Sequence, residues 1–282
     1  MNTYKLRTIA YGITLGSLAM FGYYDRATSE TIAVSSSEGT LSLVANGEDF
    51  VRQGFVSKDG WEINFDHLYV NIGEAIAMST ESSFEPQKND TKDSIKYEYK
   101  AELLEEDKVT DLAEGEADAQ PIVVAEANVN PGFYNALVWE VTTAEADSAI
   151  AGKTMNLIGQ ATKDGKTVDF DLSFNQPTEY VCGEFVGDRR LGIVETDSPG
   201  TVEMTFHFDH LFGDFDTPPE DALNQDALGF EPIAQLASNN TVKLNEEELA
   251  NQLAPEDYQS LQAALVGLGH VGEGHCVVSS SQ

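Results

Sequence analysis

The chain has 282 residues, 16 Lys+Arg against 48 Asp+Glu, and a formal net charge of −32. That length is enough to bury a sizeable core. The charge disfavours nucleic-acid binding and attachment to anionic membranes, and it permits cationic partners such as metal ions.

The first segment reads as an address. Lys5 and Arg7 precede an apolar run from Ile9 to Tyr24, and the small residues Ala27, Thr28 and Ser29 follow Asp25 and Arg26. A basic start, an apolar middle and a small-residue exit predict a secretory signal over residues 1–29, with an uncleaved N-terminal anchor as the alternative. The segment contains no Cys to carry a lipoprotein anchor. The mature chain is expected to be periplasmic or extracellular, with no membrane insertion after cleavage. In such a compartment the pair Cys182 and Cys276 reads as a disulfide.

Strand-like runs come next. Thr40–Val44 alternates, and Trp61–Val70 alternates over ten residues with Trp61, Ile63, Phe65, His67 and Tyr69 on one face. Residues 79–120 form an acidic excursion, with Tyr97 and Tyr99 in a possible strand. Between Glu102 and Asp118 this stretch holds eight carboxylates and one Lys, which reads as a mobile, solvated loop. Further strands are expected at Ile122–Ala125, Tyr134–Val141, Thr154–Ala161, Thr167–Phe174 and Thr201–His210. Turn signals separate several of them, and the Asp164-Gly165 pair predicts a hairpin. Several short strands at this spacing predict a mainly β body over residues 30–215, an antiparallel sandwich or barrel.

After about residue 215 the pattern becomes helical. Pro218-Pro219 and Pro232 can open short helices. Asn245 can cap Glu246–Leu253, and Pro255 suits a first helical position. Residues 216–282 therefore read as a small helical C-terminal cap with a Gly/His-rich tail packed on the body.

The five histidines are the most informative residues. Phe65-Asp-His-Leu-Tyr69 and Phe208-Asp-His-Leu-Phe212 are near-copies of one pentad. Both end an alternating run, so His67 and His210 continue an aromatic, core-facing side. His207 and Asp209 would project to the other face of a regular strand, whereas a bulge near residue 208 would bring His207 and His210 together. The last two histidines sit in Leu268-Gly-His-Val-Gly-Glu-Gly-His-Cys276, where glycines free the backbone to wrap closely. These residues predict one metal site built from His67 and His210 with His270 or His275. His207 and Glu273 are further ligands, and Asp66 and Asp209 are carboxylates that orient the imidazoles. Zinc or copper suits such donors.

The alternative is that the histidines are structural and the protein is a cell-surface or extracellular binding module for a protein or glycan. No Gly-x-Ser-x-Gly elbow, Walker loop or dinucleotide fingerprint is present. An enzyme would need a cleft beside the histidines with an open coordination position.

The segments Asp59-Gly-Trp-Glu-Ile-Asn-Phe-Asp-His-Leu-Tyr-Val70, Val109-Thr-Asp-Leu112 and Asn130-Pro-Gly-Phe-Tyr134 resemble exported bacterial β-sandwich proteins. These are the periplasmic copper-binding partner proteins of methanobactin systems and related uncharacterised lipoprotein β-sandwiches. The resemblance covers roughly residues 38–215. It implies an immunoglobulin-like sandwich and makes metal binding more plausible. The chain departs from it in lacking a lipobox Cys, and no ligand of that family matches residue by residue. Metal capture, storage or delivery is the expected role, with a membrane transporter or metal-accepting protein as a possible partner.

Overall fold

The computed structural model describes residues 38–88 and 92–279. The expected signal at 1–29 lies outside them. The described chain is mainly β and falls into two principal sheets. The smaller sheet has the order Gly274–His275, Gly269–Val271, Gly200–Phe206, Gly39–Asn46, Ile122–Val129. The larger is organised around the 19-residue strand Glu62–Thr80.

That long strand changes partners along its length. One edge pairs with Met155–Lys163 and then with Ala136–Val141. The other meets Phe55–Val56, Lys108–Asp111 and Tyr97–Leu104 in turn. Register shifts interrupt three of these pairings, as expected where bulges bend a strand. The larger sheet continues outward through Lys166–Phe174 to Thr241–Asn245 on one side, and through Thr178–Cys182 to Val277–Ser279 on the other. The strand expected around Tyr97 and Tyr99 forms, and the acidic stretch read as a loop supplies a second one, Lys108–Asp111, to the long strand. Arg52 holds the far end of that stretch, donating to the carbonyls of Glu114 and Ala119.

Local rules account for much of this. Asp164 and Gly165 both have positive φ, 51° and 79°, as the primed turn of a two-residue hairpin requires. Met155–Lys163 and Lys166–Phe174 pair in the corresponding register. Asn245 caps the helix Glu246–Gln252 in a reciprocal capping box with Glu248. Pro255 opens the helix Pro255–Val266.

Two pairings depart from the expected antiparallel pattern. Gly39–Asn46 lies parallel to Gly200–Phe206, and Lys166–Phe174 lies parallel to Thr241–Asn245. Long intervening segments permit both, because parallel neighbours need a crossover rather than a tight turn. The sheets meet over a shared aromatic core. Trp139 packs on Tyr180 with centroids 4.4 Å apart and on Phe206 of the smaller sheet at 5.0 Å. Both Trp139 and Phe206 are fully buried.

Cys182 and Cys276 form the expected disulfide, with an S–S distance of 2.02 Å and Cα atoms 4.4 Å apart. It joins the Thr178–Cys182 strand to the histidine-bearing tail and fits an oxidising compartment. Among the described residues no helix is long and apolar enough to cross a membrane.

Candidate metal centre

The two pentads adopt different structures. In the first, a register shift falls between Phe65 and His67. The bulge reverses the alternation: Trp61 and Ile63 point inward before it, and Leu68 and Val70 after it. His67 is therefore turned outward, with its side chain 50% exposed. Its Nδ1 lies 2.7 Å from Asp111 Oδ2, and its ring stacks on Tyr69. Asp66 beside it is also exposed. The expectation that His67 joins the other histidines, with Asp66 in support, is thus corrected.

In the second pentad the strand stops at Phe206. Phe208 takes helical dihedrals, Asp209–Phe212 forms one helical turn, and Gly213 ends it at φ 68°. The Asp209 carboxylate accepts from the backbone N–H of His210 at 3.0 Å. The pentads differ in the residue that succeeds each: Val70 continues a strand, whereas Gly213 allows the chain to leave the turn. The helical turn, rather than a bulge, brings His207 and His210 onto one side, with ring centroids 5.5 Å apart.

The tail supplies the other two rings. Gly269–Val271 and Gly274–His275 form a small hairpin in which His270 and His275 are Cα partners. Gly269 lets this hairpin reach the body, because a Cβ there would lie 2.4 Å from the Tyr180 ring. Gly272 turns at φ 58° with no room for a Cβ beside the Val186 carbonyl. The ring of His270 lies 4.1 Å from that of His207, 4.9 Å from His210 and 4.4 Å from His275. Four of the five histidines thus form one cluster, and His207 takes the place assigned to His67.

Donor atoms converge most tightly at His207, Asp209 and His210, all within 4.8 Å of one another. His207 Nε2 lies 3.2 Å from the Gly272 carbonyl, which can only accept, so this nitrogen carries the proton. In the neutral ring Nδ1 is then a bare acceptor. It faces Glu48 Oε2 at 3.6 Å and Asp209 Oδ1 at 3.8 Å. Asp209, assigned from sequence to an orienting role, therefore lies among the direct donors.

Glu48 is a candidate site residue that sequence reasoning missed. Its φ of 59° is unusual for a residue with a side chain. Its backbone N–H donates to Asn46 Oδ1, and Asn46 in turn donates to Glu203. Burial, reinforced by the charges of Asp209, Glu273 and Glu203, pushes the Glu48 carboxyl up to about 7. Glu273 itself is exposed in the hairpin turn.

Burial also lowers the His210 and His270 imidazoles, His270 to about 3, with neighbouring imidazoles adding to the effect. Both are therefore neutral near pH 7, the form that can bind a metal. His270 is 2% exposed, and among the described residues neither ring nitrogen has a well-formed hydrogen-bond partner. His210 and His275 reach the wall of a 740 Å3 groove between the helices Ala222–Asp226 and Pro255–Val266.

No protein-family model, curated protein or solved structure matches the chain.

Proposed function

We propose that the protein is an exported divalent transition-metal-binding protein that captures, stores or delivers zinc or copper. The ion is held by His207 Nδ1, the Asp209 carboxylate and His210, with Glu48 as a further oxygen donor. The observation that carries this reading is the environment of His207 Nδ1. An acceptor nitrogen faces two carboxylates at 3.6 and 3.8 Å, too far for hydrogen bonds. Those separations suit two donors on one ion, since metal–ligand bonds are about 2.0–2.2 Å. The Gly272 carbonyl fixes the tautomer, the part such partners play at metal-bound imidazoles.

The proposal extends to the setting. A cleaved signal over 1–29 delivers the chain to the periplasm or outside the cell, where the disulfide is stable. The two facing sheets form an immunoglobulin-like sandwich, and the C-terminal helices cap it beside the site. A transporter or metal-accepting protein is the proposed recipient.

The test is metal analysis of the purified protein, followed by zinc and copper titration after chelator treatment. Stoichiometric binding that disappears in a His207→Ala/His210→Ala variant supports the proposal. A protein that takes up neither ion, and whose melting temperature is unchanged by chelator, sinks it.

A further inference from the structure

The His207–Asp209–His210 group leaves His270 and His275 without an assigned task. His270 is the more demanding of the two. A buried imidazole with neither nitrogen in a well-formed hydrogen bond to a described residue, and only a weak approach to the Gly267 backbone, forfeits most of its hydrogen bonding to water. It cannot readily serve the ion at His207: the two rings are stacked 4.1 Å apart at 24°, so their in-plane lone pairs run side by side rather than converge. The arrangement differs toward His210, 4.9 Å away at 75° but engaged by the first ion, and toward His275. The His270 and His275 rings are 4.4 Å apart at an interplanar angle of 58°. Two imidazoles on adjacent positions of one ion, with bonds of about 2.0–2.1 Å, place their centroids roughly 4–5 Å apart.

We propose a second cation position between His270 and His275, on the groove side of the first; the inference rests on the metal reading of the His207 group. Its ligand is a divalent transition metal ion completed by water. His275 is exposed and lines the groove, whose walls carry Asp221, Asp226 and Glu256. Among the described residues no Lys or Arg lines it. The negative walls raise the local concentration of cations, and the open side lets water and ion exchange. The inner position is enclosed by His207 and two carboxylates, so the outer ion is the more weakly held and the more readily exchanged.

Chelator-stripped full-length protein is titrated with zinc, with cobalt(II) as a spectroscopic probe of each step. Two ions are expected, the second at least tenfold weaker. His275→Ala removes the second step and leaves the first unchanged; because His275 is exposed, an unchanged circular dichroism spectrum is expected for this variant. Asp209→Asn weakens the first step. A single ion bound by the wild-type protein overturns the second position, whether His275→Ala weakens it, as for one ion shared by four imidazoles, or leaves it alone. No ion at all overturns the His207 reading as well, so the two failures are distinct.

Discussion

His270 and His275 face each other across a two-residue turn: they are Cα partners in the terminal hairpin, and their rings are 4.4 Å apart. One is buried and the other exposed. The hairpin thus runs from the core to the surface of the cluster, and it is anchored at both ends. Thr205 pairs with His270 in the adjoining strand and accepts from the Gly272 N–H at 2.8 Å. Cys276 ties the other end to Cys182. The fold itself holds the tail in place, so an ion bound there would meet a lower ordering cost.

The two pentads give the sharpest contrast between similar sequences. His67→Ala is expected to leave zinc and copper stoichiometry and affinity unchanged. Its exposed contact with Asp111 is worth about 1 kcal/mol or less. Parallel titrations of His67→Ala and His207→Ala check this. Loss of metal in the first variant and not the second would reverse the assignment made from the bulge at Phe65/His67.

This contrast also shows how far the sequence could be read. The strand runs, the Asp164-Gly165 hairpin and the Asn245 cap arise from local patterns, and they form as expected. The disulfide and the tail histidines were legible from compartment and composition. The bulge that turns His67 outward was not, because alternation read from one strand assumes an unbroken register. Glu48 was hidden for a different reason. The parallel pairing sets Asn46 beside Thr205; Glu48 and His207 each lie two residues further on. Their meeting depends on a pairing between segments some 160 residues apart, and no local pattern around Asn46-Gly-Glu48 announces it.

The stability of the metal-free protein should depend on pH from both sides. The Glu48 carboxyl is raised from 4.5 to about 7. Its contribution is fully present below 4.5 and is lost as pH rises through about 7. The His270 imidazole is lowered from 6.5 to about 3, so its contribution is present above 6.5 and is lost as pH falls toward 3. Denaturant unfolding of chelator-treated protein at pH 5 and pH 8 checks the first limb. The wild type is expected to lose stability over this interval relative to Glu48→Gln, which cannot ionise. Parallel behaviour of the two proteins would show that Glu48 is not held protonated.

The approach of the tail to the body rests on Gly269. In Gly269→Ala the new Cβ would lie 2.4 Å from Tyr180, whose ring is fully enclosed beside Trp139 and cannot swing away. Overpacking of this kind costs about 1–3 kcal/mol. The strain falls next to His270, so the variant should also bind metal more weakly. Thermal unfolding and zinc titration read the two effects separately. An unchanged melting temperature would mean that the hairpin can retreat from the sheet without cost.

The disulfide closes a loop with a sequence separation of 94 residues. Chain entropy assigns such a crosslink about 4–5 kcal/mol at most, and native strain or a structured unfolded state reduces it. A Cys182→Ser/Cys276→Ser variant is therefore expected to unfold at lower denaturant concentration. The effect on metal should be uneven. His207, Asp209 and His210 are carried by the strand end and its helical turn, which the crosslink does not touch. His275 is the immediate neighbour of Cys276, and the short strand Val277–Ser279 beyond it meets Thr178–Cys182 at three residue pairs. Loss of the crosslink loosens the tail at His275 first. Metal held at His207 should survive in the serine variant at temperatures where it remains folded, while ions that need His275 bind more weakly. Titration of the folded variant beside the wild type checks this. An equal loss at every binding step would show that the disulfide supports the whole cluster rather than the tail.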